Sequence, residues 1–275
     1  MTRTAIFFFS TGRCGTQWLA EHLGRIYGDL ATVAHEPLHL GYRPRELYGI
    51  QDKTELPENS ELLSHRAYIR GLSEGESYFE TGWPCWAAVP FFISCFPGRV
   101  RIVHLTRHPV HTAISWVSHG VFCPPFLPGL HPEKVWLSPF DQGVQFTGYR
   151  ERWAVMTPYE KALFFWAEVH SCGLRLETQS GVPWLRIRYE DLFSGKALPA
   201  LLDFMALPRR EEIFSALQLR TDKFRYIIPG RVNVGAVKDH PDVIQTAVKL
   251  GYDVHNYDEA EISRRYFSHQ GKAGA

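Results

Sequence analysis

The sequence predicts an α/β fold with a mostly parallel sheet flanked by helices. Three observations lead to this prediction. Strand-like apolar runs alternate with amphipathic segments along the chain. The first run leads through a glycine-bearing turn into a helical pattern. Hydrophobic residues make up 45% of the 275 residues, which is enough for the core of one α/β domain. We therefore expect a single domain over residues 1–275, with a frayed tail at about 268–275.

Four strand-like runs and one helical segment occupy the first part of the chain. The helix is recognised by apolar residues at three- and four-residue spacing. The predicted strands are Ala5–Phe9, Ala31–Ala34, Ser77–Glu80 and Val100–Thr106, and the predicted helix is Thr16–Tyr27. Residues 38–65 are polar with scattered Pro and Gly, and we expect them to cover the site.

An irregular stretch, residues 120–156, opens the second part of the chain and holds five Pro and four Gly. A long stretch without periodicity in a compact domain is usually a lid or binding loop, so we expect a substrate lid here. The next helix starts at a capping box formed by Thr157 and Glu160. Beyond it we predict a strand at 182–187, a helix at 198–205 and a loop at 223–240.

The charge balance and the cysteine count exclude several classes of protein. Lys and Arg number 30 and Asp and Glu number 29, so no broad nucleic-acid-binding surface is expected. No apolar run reaches the roughly 18 residues of a membrane span or the length of a signal-peptide core. Five cysteines at irregular spacing predict neither disulfides nor a zinc site, and favour a cytoplasmic location.

Candidate polar groups follow the predicted strands. They are residues 10–16, Glu36, Glu80, Arg107 and Tyr189. The carboxyl ends of parallel strands meet at one edge of a sheet, where ligands bind. We therefore expect these groups to lie close together in one site.

The first motif, residues 10–18, reads S-T-G-R-C-G-T-Q-W between the first strand and the first helix. Backbone N–H groups and the dipole at a helix N-terminus attract an anion. The loop of ATP- and GTP-binding proteins, G-x-x-x-x-G-K-[ST], carries a Lys before its Ser or Thr. Here Thr16 follows Gly15 directly, and the cation, Arg13, comes earlier. The motif predicts an anion site that differs from an ATP or GTP loop.

The second motif, residues 100–116, reads V-R-I-V-H-L-T-R-H-P-V-H-T-A-I-S-W. Its strand ends at Arg107, and Pro109 suits the first position of a helix because its missing N–H is not needed there. Ser115 lies eight residues beyond Arg107. A cation at the strand end and a hydroxyl on the helix are thus set near the same edge of the sheet.

Together the two motifs resemble those of sulfotransferases that use 3′-phosphoadenosine-5′-phosphosulfate (PAPS). In that family the first motif holds the 5′-phosphosulfate and the second holds the 3′-phosphate. The resemblance implies a P-loop-type nucleotide-binding architecture. It also implies transfer of a sulfuryl group to a hydroxyl or amine of a small-molecule acceptor. Adenosine 3′,5′-bisphosphate (PAP) is then the product, and no metal is required.

The resemblance also assigns roles to individual residues. Arg13 stabilises charge on the leaving 5′-phosphate, and Trp18 either stacks on adenine or belongs to the core. Residues 231–238 resemble a degenerate form of the family's late R-K-G-x-x-G-x-x-K loop. The implied nucleotide-binding residues are Arg13, Cys14, Gly15, Thr16, Gln17, Trp18, Arg107, Ser115, Tyr189, Arg231 and Gly235. The position of Cys14 near a helix N-terminus predicts a lowered pKa for its thiol, although we do not expect it to be a nucleophile.

A general base is needed because the acceptor loses a proton as it attacks sulfur, and such a base contributes roughly 10²–10⁴ in rate. Glu36 is the first candidate, since the H-E-P context resembles a bacterial subgroup with a Glu base there. Glu80, also at a strand end, is the second candidate. His35 and His65 are weaker candidates, because a lone His is more often structural.

Two other functions stay open at this point. One is an ATP-dependent small-molecule kinase, which the missing Lys of the first motif and the spacing of Arg107 and Ser115 disfavour. The other is a non-catalytic nucleotide-binding protein, which the two candidate bases disfavour. A homo-oligomer also stays open. The 14% aromatic residues favour a small, partly apolar acceptor.

Overall fold

A five-stranded parallel sheet forms the centre of the molecule. The computed structural model describes residues 4–38, 44–50, 60–72, 75–123, 136–219, 228 and 232–267. The strand order is β2-β3-β1-β4-β5, and every neighbouring pair is parallel. The strands are β1 (Ala5–Phe9), β2 (Ala31–Ala34), β3 (Ser77–Glu80), β4 (Val100–Thr106) and β5 (Trp184–Arg188). The predicted α/β class and parallel sheet are confirmed.

Helices flank this sheet along the whole chain. They are α1 (Thr16–Tyr27), α2 (Pro44–Tyr48), α3 (Ser60–Gly71), α4 (Val89–Cys95), α5 (Pro109–Ser118), α6 (Pro158–Gln179), α7 (Tyr189–Phe193), α8 (Leu198–Phe204), α9 (Glu211–Ala216), α10 (Pro241–Lys249) and α11 (Glu259–Tyr266). Short 3₁₀ segments lie at Trp83–Ala88, Thr147–Arg150 and Val234–Asp239.

Both faces of the sheet are covered, which explains why β1 is apolar at every position. Phe7 and Phe9 pack on one face in a cluster that includes α4 and α6. Ile6 and Phe8 pack on the other face in a cluster that includes α1 and α8. The strand is therefore buried on both sides, and its carboxyl end opens onto the edge where ligands are expected.

The strand order reverses at the carboxyl end of β1. From β1 the chain runs to β2 and β3 on one side, and it then crosses to β4 and β5 on the other. Phe9 at the end of β1 pairs with His104, two residues before the end of β4. A parallel sheet binds ligands where its strand order reverses in this way. The first motif begins directly after β1, and Arg107 of the second motif directly follows β4.

Two elements differ from the sequence prediction. The fifth strand is Trp184–Arg188 rather than 182–187, because Pro183 has no N–H to give to the ladder and Arg188 still pairs with Thr106. Residues 60–71 form α3, where a covering loop was expected as far as residue 65. Leu62 and Ile69 on this helix face the core, but the exposed residues between them hid the helical pattern.

The predicted lid, residues 120–156, falls partly outside the described residues, since 124–135 are not among them. The part that the structure describes packs on the core. Trp136 stacks on Trp83 with ring centroids 5.2 Å apart and meets Trp116 edge-on at 4.6 Å. The role of the stretch as a substrate lid stays a prediction.

Two further expectations concern the C-terminal tail and membrane-spanning helices. The predicted frayed tail at 268–275 lies outside the described residues. Within the described ranges, none of the helices combines the length and the apolar character needed to cross a bilayer.

The capping box at the start of α6 is confirmed. The Thr157 hydroxyl accepts a hydrogen bond from the Glu160 amide at 3.3 Å, and the Glu160 carboxylate accepts one from the Thr157 amide at 2.8 Å. Both bonds satisfy N–H groups that have no partner within the helix. They fix the start of the longest helix in the described part of the chain.

Replacing Thr157→Ala should lower the free energy of unfolding by about 1 kcal/mol, because the helix loses its cap. Urea denaturation measures the change. Thr178→Ala is the matched control, since Thr178 is an exposed residue near the other end of the same helix. It should leave stability unchanged or slightly raised, because Ala favours helix more than Thr does. Equal losses in the two variants would contradict the role of the cap.

Candidate functional site

The first loop, residues 10–15, joins β1 to α1 and adopts a left-handed backbone at three positions. Gly12, Arg13 and Gly15 have φ values of 79°, 58° and 85°. A Cβ on Gly12 would lie 2.7 Å from the Trp116 ring, so only glycine fits there. No described side chain caps α1 at Gly15. The first amides of α1 can therefore donate to a bound anion.

The two motifs are joined by direct hydrogen bonds. The Arg13 Nε donates to the Ser115 Oγ at 2.9 Å. The Arg107 Nη1 donates to the Arg13 carbonyl oxygen, also at 2.9 Å. The structure thus brings together three residues that the sequence placed in one site, although about a hundred residues separate the motifs.

Arg107 is a buried cation, with 6% of its surface exposed. Its guanidinium carbon lies 4.5 Å from the centroid of the Tyr189 ring, and its carbonyl oxygen accepts a hydrogen bond from the Trp166 indole at 3.0 Å. Among the described residues, Arg107 forms no salt bridge. The Glu190 carboxylate favours this charge through space without bonding to it. Because burying a charge is costly, a bound anion would stabilise Arg107 further.

Helix α7 closes the other side of the first loop. A Cβ on Gly15 would lie 2.6 Å from the Phe193 ring and 3.5 Å from the Tyr189 ring. Glu190 accepts hydrogen bonds from the His108 amide and the Tyr252 hydroxyl, at 3.2 and 3.0 Å. These contacts fix Tyr189 between Arg107 and the loop, as the sequence predicted for its place.

Cys14 is a correction to the sequence analysis. Its thiol is fully buried and donates to the Gly12 carbonyl at 3.0 Å. Burial raises the pKa of Cys14 to about 12, even though the nearby Arg107 acts in the opposite direction. The expected lowering of this pKa is wrong, because the thiol turns into the core, where desolvation outweighs the helix dipole.

The first turn of α1 divides its side chains between core and surface. The Trp18 indole donates to the Ala216 carbonyl at 3.2 Å and packs on Phe193 with ring centroids 5.1 Å apart. This is the core alternative for Trp18 rather than an open stacking face. Thr16 is buried and Gln17 is exposed. Whether these residues bind nucleotide stays a prediction.

Glu36 is linked to the first loop through Gly82 and Trp83. Its own φ is 52°, and a Cβ on Gly82 would lie 2.5 Å from its amide nitrogen. The residue after Gly82, Trp83, packs on the loop, since a Cβ on Gly12 would lie 2.9 Å from its ring. The side chain of Glu36 is 35% exposed, and one oxygen is 3.6 Å from the His35 Nε2. Burial lowers the pKa of His35.

Glu80 does not reach the site. It is fully buried, and its Oε2 accepts hydrogen bonds from the His65 Nε2 at 2.7 Å and the Tyr78 hydroxyl at 2.9 Å. Glu80 pairs with Phe7, two residues before the end of β1. Side chains alternate along a strand, so Glu80 shares the face of Tyr78, under α3. The expectation that Glu80 joins the other groups at the edge is wrong.

The late loop, residues 231–238, has few contacts with the described residues of the site. Arg231 lies outside the described residues. Gly235 belongs to the 3₁₀ segment Val234–Asp239, and a Cβ on it would lie 4.0 Å from the Tyr257 hydroxyl. Tyr257 in turn faces His108 at 6.2 Å between ring centroids. The proposed contacts of Arg231 and Gly235 with a nucleotide stay predictions.

Sequence reasoning missed several residues that support the first loop. The Trp116 indole donates to the Thr11 carbonyl at 3.1 Å, and His170 contacts the Thr11 hydroxyl. Trp116 ends the second motif, so its position was a usable signal, whereas His170 sits in α6 with no local signal. In the described ranges, no group of three or more His, Cys, Asp or Glu is arranged to hold a metal ion.

Comparison with known proteins places this geometry in a known fold. No protein-family model and no curated protein matches the chain. A solved sulfotransferase domain from the curacin biosynthetic pathway is 16% identical, with a TM-score of 0.50 over 92% of this chain and 99% of that chain. The sulfotransferase domain from the Synechococcus PCC 7002 olefin synthase is 17% identical, with the same TM-score over 92% of this chain and 96% of that chain. The chain therefore has the sulfotransferase-like fold that its two motifs predicted.

Proposed function

We propose that this chain is a PAPS-dependent sulfotransferase acting on a hydroxyl or amine of a small-molecule acceptor. The observation that carries the proposal is Arg107, a buried guanidinium that lies against the first loop, forms no salt bridge among the described residues and is favoured by Glu190 only through space. A charge in this setting favours a bound anion. The sulfotransferase-like fold and the second motif make the 3′-phosphate of PAPS the anion that fits best.

The hydrogen bond between Arg13 and Ser115 supports a ligand with two phosphate groups. In the proposal the amides of the first loop and Arg13 bind the 5′-phosphosulfate, whereas Arg107 and Ser115 bind the 3′-phosphate. Both groups sit on one ribose, so their binding residues must be neighbours. The 2.9 Å bonds from Arg13 to Ser115 and from Arg107 to the Arg13 carbonyl meet this requirement.

The proposed reaction is an in-line displacement at sulfur. An acceptor oxygen or nitrogen forms a bond to sulfur while the bond from sulfur to the 5′-phosphate oxygen breaks, giving the sulfated product and PAP. Arg13 and the loop amides stabilise the charge that develops on the leaving phosphate. The rest of the rate enhancement comes from holding the two reactants in line.

Glu36 is the proposed general base that takes the acceptor's proton. Its carboxylate is partly exposed, whereas that of Glu80 is buried and accepts two hydrogen bonds from core residues. His35 lies 3.6 Å from Glu36, and burial lowers the pKa of His35, which disfavours a positive charge beside the carboxylate. Burial and hydrogen bonding therefore favour Glu36 over Glu80.

The function is tested by incubating the protein with PAPS and a panel of hydroxyl and amine acceptors while PAP release is followed. Turnover with one acceptor class supports the proposal. Binding of PAP without turnover across a broad panel would favour the non-catalytic alternative. Turnover of ATP in place of PAPS would favour a kinase.

Arg107→Ala should weaken PAP binding strongly, because the 3′-phosphate loses its buried cation. In the wild-type protein PAP should bind far more tightly than AMP, and the variant should lose most of that difference. Isothermal titration calorimetry measures both ligands. Arg209→Ala is the control, since Arg209 is exposed and pairs only with Asp203 among the described residues. Equal affinity of the wild-type protein for PAP and AMP would remove the basis for a 3′-phosphate site.

Arg13→Ala should act on the chemical step and lower kcat by about 10²–10³, the typical loss for a charge-stabilising donor. Steady-state kinetics with saturating PAPS measure this. The contrast with Arg107→Ala is the internal control, because the latter should mainly raise the KM for PAPS. A change in KM alone for Arg13→Ala would contradict a role in the transition state.

Glu36→Gln should lower kcat by roughly 10²–10⁴ with near-normal PAP affinity, because the amide keeps the shape and loses the basicity. The acidic limb of the pH–rate profile should disappear in this variant. Glu80→Gln should retain most of the activity, and any effect should be on stability, since its carboxylate lies in the core. The reverse pattern would identify Glu80 as the base.

A further inference from the structure

Two buried histidines connect the core to the first loop. His104 on β4 and His170 on α6 are both fully buried, and the His104 Nε2 lies 2.9 Å from the His170 Nδ1. The other nitrogen of His170 lies 3.4 Å from the Thr11 hydroxyl. Thr11 directly precedes Gly12, where the backbone becomes left-handed. A line of hydrogen bonds therefore runs from the sheet to the loop.

Burial disfavours the positively charged form of both imidazoles. Burial lowers the pKa of His104 to about 3. Burial, and then the neighbouring His104, lower the pKa of His170 well below its ordinary value. A neutral imidazole carries one N–H. Each hydrogen bond in the line therefore contains one donated proton. Once the tautomer of His104 is known, the donor in each of these bonds is known as well.

The tautomer of His104 follows from its other ring nitrogen, Nδ1. The His104 Nδ1 is buried and has no hydrogen-bond partner among the described residues. A buried donor without an acceptor is rarer than an acceptor without a donor, so the Nδ1 is unprotonated. The His104 Nε2 then donates to His170, whose Nε2 donates to the Thr11 hydroxyl. The Thr11 proton is left to point at the Gly12 carbonyl, 3.5 Å away.

Helix α6 is shaped to hold this pair. A Cβ on Gly173, one turn beyond His170, would lie 2.8 Å from the His104 ring, so glycine makes room for the imidazole. One turn before His170, Trp166 donates to the Arg107 carbonyl. One face of α6 thus contacts both motifs, since His170 contacts Thr11 of the first motif and Trp166 contacts Arg107 of the second.

We propose that His170, held by His104, is a positioning residue for the first loop. It fixes the Thr11 hydroxyl while the Trp116 indole fixes the Thr11 carbonyl. With both ends of Thr11 held, the following Gly12 and Arg13 keep their left-handed backbone and Arg13 stays aimed at the site. The effect on catalysis rests on the proposed function, whereas the effect on the loop does not.

The tautomers are tested by ¹⁵N NMR of the histidine side chains in the full-length protein. We expect His104 and His170 each to carry the proton on Nε2 and neither ring to titrate between about pH 5 and pH 8. A proton on the His104 Nδ1, or titration of either ring in this range, would overturn the inference.

Three variants test the positioning itself. Thr11→Val removes only the hydroxyl, and His170→Leu removes the donor. His170→Gln keeps an N–H that can reach Thr11. The first two should shift the backbone amide resonances of Gly12 and Arg13 in the same direction, and His170→Gln should restore them. This readout needs no turnover, so it stands even if the chain transfers no sulfuryl group.

Kinetics complete the test if the proposed function holds. Thr11→Val and His170→Leu should each lower kcat about tenfold, less than the roughly 10²-fold that a 1 Å misplacement can cost, with little change in the KM for PAPS. The double variant should lose no more than either single variant, because both act through one contact. Additive losses, or wild-type kcat in a folded Thr11→Val protein, would refute the positioning role.

Discussion

The site depends on one constraint, a guanidinium buried where the two motifs meet. Removing such a group from water costs several kcal/mol unless an opposite charge compensates it. Several neighbouring residues contact Arg107. Tyr189 covers its face, Trp166 holds its carbonyl, and its own N–H groups fix the backbone of Arg13. An anion that binds Arg107 therefore also stabilises the loop that carries Arg13.

The sequence could predict the elements whose signals are local. The run of apolar residues in β1, the capping box before α6 and the order of strand, turn and helix each depend on neighbouring residues, and each is confirmed. Glu80 could not be placed in this way. Its environment is set by His65 from α3, a helix hidden in a polar segment, and only the folded packing shows that the two side chains meet.

The environments of Cys14 and Trp18, near the first loop, also could not be predicted from local sequence. The position of Cys14 close to a helix N-terminus argued for an acidic thiol, but the direction of its side chain decided the result. From the sequence, Trp18 could either stack on adenine or belong to the core. In the structure its indole N–H donates to the carbonyl of Ala216, almost two hundred residues away. The motif sets the backbone conformation of the first loop, whereas contacts with distant parts of the chain set the positions of its side chains.

The central place of β1 in the sheet has a consequence for how the chain is made. β1 is the first of the five strands in chain order, yet its neighbours β3 and β4 begin only at Ser77 and Val100. At roughly 5–20 residues per second, a strand with three consecutive phenylalanines waits on the order of 5–20 s for both neighbours. Such long-range pairing also slows folding. Among the five strands, β1 therefore waits longest for its last neighbour, and its three phenylalanines stay unpaired during that time.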